Sequence, residues 1–114
     1  MSKNYPEYAQ LLQSLMGKLG KEAGGVVGGF VQLHKAAGAE GALSTKHKEL
    51  IALGIAIAGR CEGCIAFHTR DALKAGASRQ EIIETIGVSV MMGGGPAMIY
   101  GCEAFQALDQ FTAG

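Results

Sequence analysis

The chain has 114 residues, 18 of them Gly, with 3 Cys, 2 Pro and no Trp. Ten Lys+Arg balance ten Asp+Glu, which excludes nucleic-acid binding through a basic footprint. A hydrophobic content of 48% with 18% charged residues excludes a disordered chain, and glycine without a collagen period excludes a fibrous one.

Apolar residues recur at helical spacing almost throughout. Tyr8, Leu11, Leu12, Leu15, Met16 and Leu19 mark a first helix after Pro6. Val26, Val27, Phe30, Val31 and Leu33 mark a second, with Gly38 expected as a left-handed cap. Within it, Gly24/Gly28 and Gly25/Gly29 form a small-residue face that admits a close backbone. Ser44 or Thr45 caps a third helix carrying Leu50, Ile51, Leu53, Ile55 and Ile57. A fourth starts near Cys61 and runs to Ala75, closed by Gly76. Ser78-Arg79-Gln80-Glu81 is a capping box that opens a fifth through Ile82, Ile83, Ile86 and Val90. A turn at Gly93–Pro96 precedes a sixth with Ile99, Phe105, Leu108 and Phe111. No long stretch alternates with period two, so the expectation is one all-α domain over residues 1–114 with no linker.

The run Met1–Glu7 carries no apolar core of a signal peptide. The apolar stretch 50–59 is too short for a bilayer, and Gly93-Gly94-Gly95-Pro96 interrupts the uncharged stretch 85–102. A soluble, cytoplasmic protein is expected. No G-x-G-x-x-G or phosphate loop is present.

Chemistry concentrates in Cys61-Glu62-Gly63-Cys64-Ile65-Ala66-Phe67-His68. Cys61 and Cys64 stand at i,i+3, and Cys64 and His68 at i,i+4, so one helix face carries all three. In the first turns of a helix the dipole favours thiolate over thiol. A histidine one turn on can accept or return the thiol proton, and two close thiols can alternate with a disulfide. Glu49, at the edge of a buried run, can face the same cleft and hold the His68 tautomer, or stand solvated in a first helical turn. Metal binding and inert packing are the alternative readings of the trio, although no second ligand pair completes a structural zinc centre. Cys102 reads as a buried structural thiol. His34 and His47 read as surface residues, and Met91, Met92 and Met98 as core or subunit contact.

Glu49, eleven residues, Cys61-x-x-Cys64-x-x-x-His68, then Asp71-Ala-Leu-Lys-Ala-Gly76 and Ser78 resemble the AhpD-like alkylhydroperoxidases of the carboxymuconolactone decarboxylase superfamily. The likeness covers about Ser44 to Phe111. It implies an all-helical, homo-oligomeric protein, trimeric or hexameric, that reduces a hydroperoxide with electrons from an external dithiol and needs no cofactor or metal. It also implies roles: Cys64 attacks the peroxide, Cys61 resolves it, and Glu49 and His68 relay protons. Decarboxylases proper typically lack the cysteine pair; a lyase of that type and a Cys/His metal-binding oligomer without turnover are the alternatives. The pattern departs at one place. Well-studied members carry a His immediately before the second cysteine, where this chain has Gly63, preceded by Glu62. The glycine offers no proton acceptor, and the acid disfavours a nearby thiolate.

Overall fold

Local cap chemistry starts most of the helices. In the computed structural model, which describes residues 3–113, six follow one another: α1 (Tyr5–Glu22), α2 (Gly24–Gly38), α3 (Thr45–Ala58), α4 (Glu62–Lys74), α5 (Arg79–Gly93) and α6 (Gly95–Thr112). No strand occurs among the described residues. Met1, Ser2 and Gly114, which belong to the expected domain and, at its start, to the run read for a signal peptide, lie outside them. Asn4 accepts from Glu7 N at the head of α1, so this helix begins at Tyr5, ahead of Pro6 rather than after it. Ser44 accepts from His47 N at α3. Ser78 and Glu81 make both bonds of the expected capping box at α5. The break between α5 and α6 is tighter than the sequence suggests. It narrows to Gly94, whose φ of 70° suits glycine.

The end of α2 departs from expectation. Gly38 is not a left-handed cap; the helix runs through it into an extended Ala39. The terminal carbonyls find partners elsewhere: Thr45 Oγ1 donates to Gly38 O at 2.8 Å and Lys48 Nζ to Ala39 O at 2.6 Å. With side chains of α3 satisfying those acceptors, no left-handed turn is required.

The core forms where α3 packs on α4 and α5, and α6 on α5 and α4. Leu53, Ile57, Ile65, Ile82 and Leu108 fill it, and between them lie Ala56, Ala66, Ala72, Ala97, Ala104 and Ala107. Alanines at helix contacts let the axes approach closely, which accounts for a core with few large side chains. Gly101 serves the same end: a Cβ there would stand 3.0 Å from Ile86 Cγ2. α1 lies across α4 and α6 and buries Tyr5 and Ala9. Leu11, Leu15 and Leu19, whose spacing marks this helix in the sequence, are exposed.

α2 buries no residue at all. Val26 is 75%, Phe30 58% and Leu33 65% exposed. Nothing lies within 4 Å of a Cβ built on Gly24, Gly25, Gly28 or Gly29, so within the described residues no backbone uses that small face. Met91, Met92 and Met98 are exposed too, which removes them from the core. Among the described residues no helix is long and apolar enough to cross a membrane.

Candidate active site

The chain passes from α3 to α4 through three residues. α3 ends in a Schellman arrangement, with Cys61 N donating to Ala56 O at 3.0 Å and Arg60 N to Ile57 O at 3.2 Å. The left-handed position of that motif, usually glycine, is Arg60 with φ 58°. The far end of α4 repeats the motif with Gly76 at φ 96°. Cys61 then caps α4: its sulfur accepts from Cys64 N at 3.2 Å. A disulfide joins Cys61 to Cys64 across a Cα separation of 5.2 Å, within ordinary reach for the bond. Both cysteines are half-buried.

One turn along α4, His68 meets α3. Its Nδ1 lies 2.6 Å from Glu49 Oε1. Glu49 is only 8% exposed, so it is not a solvated first-turn acid. A carboxylate that accepts from Nδ1–H fixes the ring and leaves Nε2 with its lone pair. The ring of His34, from α2, stacks on that of His68 with centroids 5.7 Å apart and planes 17° from parallel. His34, Glu49 and His68 share the wall of a cavity of about 260 Å³ with Phe30, Leu33 and Lys48. Neither cysteine lines it. A larger groove of about 660 Å³ between α3 and α5 is almost wholly apolar and includes none of these residues.

The model of the carboxymuconolactone decarboxylase family matches residues 25–107. The chain belongs to that family. It is similar to an uncharacterized protein of Cupriavidus necator, 35% identical over 97 residues, or 85% of this chain and 86% of that one. An uncharacterized protein of the cox locus of Paracoccus denitrificans is 32% identical over 95 residues, covering 83% and 86%. The crystal structure of a carboxymuconolactone decarboxylase family protein from Legionella pneumophila, in its apo form, superposes with a TM-score of 0.91. It is 40% identical and covers 96% of this chain and 98% of that one. The all-helical, AhpD-like architecture of this family is thereby the fold of the chain.

Against the family pattern, two local features have physical reasons. Gly63 sits beneath α1: a Cβ there would stand 2.8 Å from Leu12 Cδ1. Glu62, an acid beside the cysteines, is paired with Lys3, which also binds Glu103 at 3.1 Å. The bond to Glu62 contributes most to holding the Lys3 ammonium above the usual lysine range. The pairing offsets the Glu62 charge near Cys61 and Cys64.

Sequence reasoning placed Glu49, Cys61, Cys64 and His68 together but missed His34. No local spacing shows that α2 folds back far enough to lay a ring on α4. Cys102, expected inside, is exposed. α6 turns Ala97, Gly101, Ala104 and Leu108 to the core, and position 102 lies off that stripe.

Proposed function

We propose that this member of the family is a thiol-dependent peroxidase and disulfide oxidoreductase. The observation that carries the reading is the Cys61–Cys64 disulfide at the head of α4, with the Glu49–His68 couple one turn beyond. The disulfide form is the oxidised end of the proposed cycle.

In the reduced form both sulfurs stand at the N-terminus of α4, where the helix dipole favours thiolate. Cys64 thiolate attacks the terminal oxygen of a hydroperoxide. The O–O bond breaks, Cys64 becomes a sulfenic acid, and the alkoxide takes a proton. His68 supplies or accepts that proton, and Glu49 stabilises the charged ring. Cys61 sulfur then attacks the sulfenic sulfur; the S–O bond breaks, a disulfide forms and water leaves. An external dithiol passes two electrons and two protons to the pair and is itself oxidised. Such a cycle belongs in a reducing compartment such as the cytoplasm.

The same reading makes the chain one subunit of a homo-oligomer. Its support is the uncovered apolar length of α2 together with the exposed Leu11, Leu15 and Leu19 of α1, more apolar surface than a monomer ordinarily leaves in water. Hydroperoxide consumption in the presence of a small dithiol tests the activity. Wild type consumes hydroperoxide and Cys64→Ser does not; equal rates would overturn the assignment.

A further inference from the structure

Apart from the thiol pair, one group of three metal-ligand-type side chains converges among the described residues. His34, His68 and Asp71 each bring one ligand atom to within 4.8 Å of the others. His68 and Asp71 stand at i,i+3 on α4 and therefore share a face. His34 arrives from α2, beside Phe30 at the edge of the 260 Å³ cavity.

We propose that His34, His68 and Asp71 bind a divalent transition metal of the zinc type. Two imidazoles and one carboxylate suit a borderline ion, whereas magnesium or calcium would require mostly oxygen ligands. Glu49 already stands where such sites place an outer carboxylate. It holds His68 Nδ1 at 2.6 Å and leaves Nε2 for the metal. Asp71 Oδ1 accepts from Arg70 Nε at 2.9 Å, and Oδ2 remains for coordination. Bonds of about 2.0–2.2 Å bring ligand atoms to roughly 3–3.5 Å from one another, so from a spread of up to 4.8 Å the group must close by up to roughly 1.5 Å. His34 is the ligand free to close it, because it is exposed on a helix that buries nothing. Three protein ligands leave a fourth position open to water.

The site uses no thiol, so the oxidised protein carries it in full. A metal on His68 Nε2 also takes the lone pair that serves as proton acceptor in the peroxidase cycle. Occupancy then inhibits turnover, a consequence that rests on the peroxidase reading, whereas the site itself does not.

Calorimetric titration of tag-free, oxidised protein with zinc chloride tests the site without any turnover. The expected result is saturable binding of one zinc per chain. Binding weakens by about tenfold or more in His34→Ala and in Asp71→Asn. It persists in His47→Ala, which removes an exposed histidine elsewhere, and in the Cys61→Ser/Cys64→Ser double variant. No saturable binding to wild type would overturn the proposal. So would undiminished binding in His34→Ala, or binding lost with His47 or with the cysteines.

Discussion

Nδ1 of His68 on α4 lies 2.6 Å from Oε1 of Glu49 on α3, across 19 residues of sequence. The contact joins the two helices whose junction carries the disulfide. It gives a histidine one turn from Cys64 a fixed orientation and a counter-charge.

Glu49→Gln keeps the shape of the side chain and removes the counter-charge. The expected effect is a loss of about 10- to 100-fold in kcat/KM for hydroperoxide, as for other outer groups that orient a working histidine. The pH profile changes with it, which a purely structural loss would not produce. Steady-state kinetics across pH, with the melting temperature measured alongside, check this. An unaltered profile would remove Glu49 from the relay.

Arg60 occupies a left-handed position that α4 fills with Gly76 at its own end. A non-glycine residue there costs about 1–2 kcal/mol, and glycine forgoes part of that through its freer unfolded chain. Arg60→Gly is expected to stabilise the protein by about 0.5–1 kcal/mol. Gly76→Ala should move stability in the opposite direction. Urea unfolding midpoints of both variants decide the point, and a lowered midpoint in Arg60→Gly would contradict it.

Gly93 closes α5 against α6 and α3. A Cβ there would lie 2.6 Å from Ala97 Cβ and 3.7 Å from Ala58 Cβ. Ala97 Cβ cannot move without its backbone, so Gly93→Ala is expected to cost about 1–3 kcal/mol. Gly63→Ala meets only the flexible end of Leu12 and should be milder. Thermal unfolding of the two variants gives the comparison.

Tyr5 is fully buried, and its hydroxyl donates to Glu103. Burial first, then that bond and the charges of Glu103 and Glu62, push its pKa well above the ordinary 10.0. The folded phenol therefore keeps its proton where the unfolded one loses it. Its contribution to stability is complete below about pH 10 and declines as pH rises beyond. Tyr5→Phe should lower the melting temperature at neutral pH and flatten the alkaline decline relative to wild type. Parallel decline in the two proteins would contradict this.

The fold was legible where a residue's own chemistry decides its conformation. Ser44, Ser78-x-x-Glu81 and Gly76 act on their immediate neighbours, and the helix limits they set stand in the structure. Gly38 misled because its carbonyl is satisfied by Thr45, seven residues on and in the next helix. Arg60 gave no sign of its left-handed backbone, since nothing in the side chain requires it. Apolar patterning misjudged α1 and α6 for a related reason. The buried face of α6 is built largely of alanine and glycine, which hydrophobicity underweights, and α1 buries only Tyr5 and Ala9, while many of their larger apolar side chains remain outside. In the site, Cys61, Cys64 and His68 could be read together because one helical face holds them. Glu49 was reachable because α3 and α4 are joined by so short a connection. His34 was not, because its approach to His68 depends on how α2 folds back.

The central claim is that the Cys64 sulfur is the one that attacks the peroxide oxygen. The most direct measurement uses Cys61→Ser, which removes the resolving thiol. The reduced variant is treated with one equivalent of hydroperoxide, and the product is trapped with a sulfenic-acid reagent and located by peptide mass spectrometry. The account predicts an adduct on Cys64, formed stoichiometrically as hydroperoxide disappears. Hydroperoxide left unconsumed, or an adduct confined to the exposed Cys102, would contradict it.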